Sequence, residues 1–307
     1  MLAYSLMKLM SRIACVQPTC FNDALAYALG QIGWLATPKW RRYMAKENVK
    51  ECLGVSETEA ERIAKESVTR FGRMLIEVLR YPLINQANFR NLVHFEGLEH
   101  LEEAYAEGRG VIMCTAHYGN WEMLGASMAL LGYPILSITR KQNDGDADRF
   151  INEYRQMVGQ HVTYNHGKSS MLSIGRYLKD KHLVGILYDQ DSAHTGEHLE
   201  LFGKPARVPD GAAQLARVFK APIVPLFMHN QPDVTLTSVI HPCFHADHEL
   251  SREENIHVIM EKLIRIAEEE IRRDPAMWFW VHDRWKDGKK RYRDRKHFST
   301  PMTGNRT

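Results

Sequence analysis

The sequence predicts an α/β fold: a single domain with a mixed, largely parallel central sheet flanked by helices, plus an N-terminal helical region. Three observations predict it. From residue 92 onward, short apolar runs alternate with amphipathic stretches, as in a chain that builds strand–helix units into a largely parallel sheet. Residues 1–90 show only helical periodicity. The run "GVIMCTAH" (110–117) begins with uninterrupted apolar residues, as a strand buried on both faces does.

Taken in order, "MLAYSLMKLMSRIACV" puts Ser5, Lys8 and Arg12 on one helical face and leaves the rest apolar. "ALAYALGQIGWLATP" (24–38) is uncharged, but its 15 residues fall short of the ~20 needed to cross a bilayer. "KWRRY" (39–43), with Trp34 and Trp40, has the aromatic and basic character of an interfacial anchor. The expectation is monotopic membrane attachment; two core helices or a single span are the alternatives. Ser56 with Glu59 three residues later signals a helix start, Ile63, Val68, Phe71, Leu75 and Val78 follow at helical intervals, and Pro82 closes the run.

Strands are then expected at 92–97, 110–117, 134–140, 161–165, 183–190, 222–230 and 234–244. Helices are expected at 98–108, 121–131, near 146–158, and at 169–180, 210–221 and 252–275. The chain reads as a helical, membrane-associated region (1–90), an α/β domain (91–290) and a basic, flexible tail (291–307).

Composition narrows the function. Of 307 residues, 44% are apolar and 25% charged, the balance of a folded soluble or peripheral protein. The net charge of +3 identifies no partner, but 283–297 carries eight Lys/Arg against three Asp. That segment suits an anionic lipid surface or a phosphate-bearing ligand, or is a solvated tail. No recognition module accompanies it, so nucleic acid is not expected as a partner. The five cysteines (15, 20, 52, 114, 243) form no C-x-x-C pair and read as reduced thiols facing the cytosol. No cleaved signal peptide is expected.

The chemistry concentrates in "TAHYGNWEML" (115–124). In one continuous helix, residues five apart lie about 140° around the axis. Here His117 ends a strand, Tyr118-Gly119 turns, and Asn120 caps the helix that holds Glu122. That geometry brings the Glu122 carboxylate to the imidazole Nδ1 and leaves Nε2 facing the cleft at the carboxyl ends of the strands, the logic of a catalytic dyad. Gly119 lets backbone N–H groups approach a ligand, and a helix N-terminus favours developing negative charge. A competing set is "HPCFHADH": strand alternation would put His241, Cys243 and His245 on one face, near His248, but the spacing matches no strong zinc pattern.

"AHYGNWE" resembles the H-x4-D/E signature of glycerolipid and lipid A acyltransferases, and is most similar to that of the lipid A late (secondary) acyltransferase family. Further segments agree in order. "SITRKQND" with "RFINEYRQMVG" resembles a second block and contributes Arg140, Asn143, Arg155 and Gly159. "GILYDQD" followed by "LELFGKPARVPDGAAQLARVFKAPIVP" resembles a third, with Asp189, Gln190, Phe202 and Gly203. "WVHDRWK" resembles the closing aromatic-basic motif, and "RRYMAKENVKECLG" the N-terminal helix region. The resemblance covers roughly residues 20 to 290 and lacks the E-G-T type block of the glycerol-phosphate branch.

The resemblance implies transfer of a fatty acyl group to a hydroxyl of a lipid A precursor or similar glycolipid, at the cytoplasmic face of a bacterial inner membrane. The donor would be an acyl-carrier protein or acyl-CoA thioester, with no cofactor and no metal. His117 would be the general base and Glu122 its orienting partner, with N–H groups near Gly119 and Asn120, or a nearby Arg, holding the oxyanion. Arg140 and Arg155 are phosphate ligands or surface ion pairs. Asp189 and Gln190, with Asp191, make polar site contacts or cap a helix, and Phe202-Gly203 is a site element or only a turn. No G-x-S-x-G nucleophile elbow occurs. The rival readings are a lysophospholipid or other glycolipid acyltransferase, an ester hydrolase, and a noncatalytic membrane-binding homologue.

Overall fold

A computed structural model describes residues 2–165, 168–191, 196–231 and 235–299. Four helices open the chain: α1 (Leu2–Val16), α2 (Thr19–Ala36), α3 (Lys39–Leu53) and α4 (Glu57–Leu79). The α/β layer follows as β1 (Val93–Glu96), α5 (Leu98–Ala106), β2 (Val111–Thr115), α6 (Trp121–Leu130), β3 (Ile135–Thr139), α7 (Gly145–Met157) and β4 (Gln160–Tyr164). It continues through α8 (Lys168–Lys179), β5 (Leu183–Leu187), β6 (Glu197–Leu201), β7 (Lys204–Val208), α9 (Gly211–Phe219), β8 (Ile223–Asn230), β9 (Leu236–Ile240), α10 (Arg252–Arg273) and α11 (Gly288–Ser299).

Seven strands form one mixed sheet in the order β1-β9-β8-β2-β5-β3-β4. Every neighbouring pair is parallel except β8–β9, so β9 and β1 run against the other five. Both faces are covered, which is why the central strands read as unbroken apolar runs. In β2, Ile112 and Cys114 face the core that α8, α9 and α10 cover, while Val111 and Met113 face the core under α5, α6 and α7. Nearly every residue of α6 is buried, as its continuous apolar sequence requires.

The expected start of α4 holds, Ser56 Oγ accepting the Glu59 N–H, and of the expected apolar positions Ile63, Val68 and Val78 are buried. Phe71 is half-buried, and Leu75 is exposed, with Ile76 buried in its place. Helix α4 reaches both cores, with Ile63, Ala64 and Val68 in one and Ile76, Val78 and Leu79 in the other. It packs on α2 backbone to backbone. A Cβ on Gly30 would lie 2.4 Å from Thr69 Cα, and one on Gly72 2.7 Å from the Ala26 carbonyl oxygen.

Helix α1 turns its apolar stripe outward: Leu2, Leu6, Leu9, Ile13 and Val16 are exposed, while Ser11 and Ala14 are buried. Lys8 of the predicted polar face reaches Glu153 of α7 at 2.9 Å. Helix α2 likewise exposes Phe21, Ile32 and Leu35. Among the described residues no helix is long and apolar enough to cross a membrane.

The structure departs from the sequence reading, or adds to it, in three places. The strand expected over 234–244 is regular only over Leu236–Ile240. Pro242 has no N–H for the ladder, and an extra residue intervenes before Phe244 pairs with Ile223. The alternation that would align His241, Cys243 and His245 is therefore broken. His241 meets Glu270 at 3.0 Å and His245 meets Glu107 at 2.8 Å, and among the described residues no three side chains form a metal-binding group. The segment 197–208, not assigned from sequence, is the β6–β7 hairpin, and Phe202-Gly203 is its turn, with both residues at positive φ. The basic tail expected from 291 is helical over Gly288–Ser299, because Arg291 Nη1 donates to Asn48 Oδ1 on α3 at 2.9 Å and Tyr292 packs on Tyr43 at 5.6 Å. Residues 300–307 lie outside the described residues.

Leucine at position 72 is expected to force α2 and α4 apart and to cost about 1–3 kcal/mol. Urea unfolding of Gly72→Leu measures it; an unchanged midpoint would mean that the helices do not pack through this contact.

Candidate active site

Strands β2 and β5 are parallel neighbours, with Thr115 beside Leu187. Two residues further along each chain stand His117 and Asp189, at the carboxyl ends of adjacent strands. His117 Nδ1 lies 2.8 Å from Asp189 Oδ1, and the indole N–H of Trp278 donates to Asp189 Oδ2 at 2.8 Å. Asp189 is buried, whereas the His117 side chain keeps 24% of its surface exposed. Burial alone pushes the Asp189 carboxyl up, but the charge and hydrogen bond of His117 and the hydrogen bond from Trp278 outweigh it and hold the group at about 2. It is a carboxylate at any physiological pH.

The backbone of the loop is pinned by the segment after α10. The Phe279 N–H donates to the His117 carbonyl at 3.1 Å, and the Gly119 N–H to the Met277 carbonyl at 2.9 Å. Gly119 adopts φ +56, and a Cβ there would sit 1.8 Å from the Met228 carbonyl oxygen, so only glycine fits. Its N–H is engaged, which overturns the expectation that it serves an oxyanion. Asn120 caps α6 as the sequence suggests, its Oδ1 accepting the Met123 N–H at 2.8 Å, and its amide donates to Glu77 of α4.

Glu122 does not reach His117. The first turn of α6 directs it into the interior, where both its oxygens receive Arg155 of α7, at 2.9 Å from Nε and 2.6 Å from Nη2. The expected His117–Glu122 contact is replaced by two separate pairs, His117–Asp189 and Glu122–Arg155. Arg155 is buried and committed to Glu122 and to Asn152 Oδ1 (3.1 Å), so it is not a free phosphate ligand. Burial opposes the guanidinium's charge, and Glu122 more than restores it.

The other sequence candidates separate. Arg140 is exposed just beyond β3, and Asn143 is exposed before α7. Gln190 is half-buried and lines a crevice with Asp189, Trp278, His282, Arg284 and Trp285. Gly203 sits exposed at the hairpin turn, while the Phe202 ring packs 6.1 Å from that of Trp278. Asp191 pairs with Arg207 at 3.1 Å.

Sequence reasoning did not single out Trp278, nor α4 as a wall of the site. Beside the loop lies a cleft lined by Phe71 and Met74 of α4 together with Trp121, Met277 and Phe279. The Phe71 ring packs 6.0 Å from Trp121 and 5.1 Å from Phe279, and Trp121 meets the His117 imidazole edge-on at 5.0 Å. The signal for α4 was its apolar spacing; that for Trp278 was the aromatic run "MWFWVHDRW".

Comparison with known proteins bears on this site. Residues 10–287 match the family described as bacterial lipid A biosynthesis acyltransferase. The chain is 27% identical over 223 residues to a phosphatidylinositol mannoside acyltransferase of Mycobacterium tuberculosis, covering 65% of this chain and 70% of that protein. It is 26% identical over 262 residues to a lipid A biosynthesis palmitoleoyltransferase of Escherichia coli, covering 83% of each. It is 24% identical over 231 residues to a lipid A biosynthesis acyltransferase of Haemophilus influenzae, covering 73% of this chain and 71% of that protein.

Removing one member of the buried Glu122–Arg155 pair leaves the other charge unpaired, which typically costs about 3–5 kcal/mol. Glu122→Ala is therefore expected to lower stability by that order, and Glu122→Met with Arg155→Met by much less. Denaturant titration of both variants checks this; a Glu122→Ala cost under about 1 kcal/mol would show that the pair does not brace the loop.

Proposed function

This chain belongs to the bacterial lipid A biosynthesis acyltransferase family, and we propose from that premise that it moves a fatty acyl group from an acyl thioester to a hydroxyl of a lipid A precursor or similar glycolipid, with His117 as general base. It is an acyltransferase by family. The finer reading rests above all on one observation: a partly exposed imidazole at a strand end whose Nδ1 meets a buried carboxylate.

In this reading His117 Nε2 takes the proton of the acceptor hydroxyl as that oxygen attacks the thioester carbonyl carbon. The tetrahedral intermediate collapses, the C–S bond breaks, and the leaving thiolate receives the proton from the imidazolium. The products are an ester and a free thiol. Asp189, and not Glu122, fixes the tautomer with Nδ1 protonated and stabilises the imidazolium. Phe71, Met74, Trp121 and Phe279 offer an apolar side to the acyl chain in a narrow cleft whose other lining includes Arg70, Glu77 and Asn230. Acyl-carrier protein or acyl-CoA supplies the chain, and the protein itself needs no cofactor.

The exposed apolar stripes of α1 and α2, next to Trp40 and the cations at 39–42, support monotopic seating on the cytoplasmic face of a bacterial inner membrane. Seating there would bring the site to a lipid acceptor and a soluble donor together. The relatives' names point to two glycolipid acceptors, a lipid A precursor and a mannosylated phosphatidylinositol.

The test is an in vitro assay offering labelled acyl-carrier-protein and acyl-CoA thioesters with those two acceptors and a lysophospholipid, with products read by mass spectrometry. Ester formation on a glycolipid is expected, with His117→Ala and Asp189→Asn each lowering kcat on the order of 10²–10⁴ in variants whose circular dichroism shows them folded. Release of free fatty acid with no acylated acceptor would make the chain a hydrolase and end this reading.

A further inference from the structure

The segment "VHDRWK" (281–286) leaves a buried cation beside the dyad that the reaction above does not use. Arg284 is 2% exposed, and none of its three guanidinium nitrogens has a hydrogen-bond partner among the described residues. It lines the crevice that also holds Asp189, Gln190, His282 and Trp285. Trp285 Nε1 and His282 Nδ1 are buried and unpartnered there as well. A guanidinium and an indole N–H are donor-only groups. A buried donor without an acceptor is costly, and an unpaired buried charge more so. The crevice has room for about one water molecule and too little for a phosphate group.

The charges facing this crevice divide simply. At the end of β5 stand Asp189 and Asp191. From β7 comes Arg207, and from the C-terminal segment come His282, Arg284 and Lys286. Arg207 and Lys286 are more exposed and pair with Asp191, at 3.1 and 3.7 Å. His282 is neutral: burial, against the pull of Asp189, lowers it to about 4. Arg284 is thus the buried cation set against Asp189. Burial works against its charge, and Asp189, then Asp191, support it.

We propose that Arg284 is a positioning residue, reaching the Asp189 carboxylate across one water held in this crevice and offsetting its charge. A buried carboxylate beside an imidazole favours imidazolium, and a histidine already protonated cannot accept the acceptor's proton. A guanidinium on the same carboxylate weakens that bias while keeping Asp189 oriented. Arg284 touches neither substrate nor the imidazole; it acts through Asp189. The inference rests on His117 acting as general base.

The experiment is the pH profile of kcat/KM for acyl transfer by wild type, Arg284→Gln and Arg284→Lys. The Gln variant is expected to shift the acid limb upward by about one pH unit, a tenfold loss on that limb that recovers at alkaline pH. KM for donor and acceptor stays unchanged, and lysine restores the limb in large part. A loss of equal size at every pH, or one confined to KM, overturns the proposal. A high-resolution crystal structure of the wild type serves as the second measurement should the Gln variant not fold. It should show a water within hydrogen-bond distance of both the Arg284 guanidinium and an Asp189 oxygen; a crevice without that water sinks the idea. Wild type that transfers no acyl group defeats the proposed function, whereas an active wild type with an unmoved limb defeats only the role of Arg284.

Discussion

The register between β2 and β5 sets Thr115 beside Leu187, and the same alignment carried two residues further sets His117 beside Asp189. The site depends on this pairing. Parallel strands end at the same edge, so side chains just past their last rungs meet without any long loop to hold them. The sheet, with both faces packed, supplies rigidity, and a side chain held on a packed strand end moves little. The segment after α10 finishes the work from the other side. It bonds the backbone on either side of Tyr118 and sends Trp278 to the second oxygen of Asp189.

Around this centre several buried charges are matched, Arg284 being the exception. Glu122 holds Arg155 across α6 and α7. Glu77 of α4 pairs with Arg73 and accepts from Asn120, although burial still raises its pKa. Behind Tyr118, Glu270 stands between His229 and His241. Burial alone would push Glu270 up, but the two histidines hold it at about 2. His229 Nε2 lies 2.7 Å from Glu270 Oε2, while the Tyr118 hydroxyl donates to the Glu270 carbonyl at 3.1 Å. These contacts brace the loop 117–122.

The N-terminal helices have two faces with different uses. The outer faces of α1 and α2 are apolar and exposed, and α4 presents Phe71 and Met74 to the cleft beside His117. The helical region is thus part of the site's wall.

Much of this was legible in the chain itself. The alternation of apolar runs and amphipathic stretches located the strands and helices of the sheet, because burial on two faces erases polar alternation. The strand-end histidine, the glycine turn and the Asn120 cap followed from local geometry within six residues. The partner of His117 was not legible. Glu122 is five residues away and Asp189 is 72, and sequence proximity favoured the wrong carboxylate. Which strand lies beside β2 is decided by long-range packing, and so is the direction a helix's first turn points its side chains. The same holds for α11, docked by Arg291 on α3, whereas the Phe202-Gly203 hairpin turn is local, set by its own backbone. Local order is set by neighbours along the chain; the pairing of charges is set by neighbours in space, which only the packed sheet brings together.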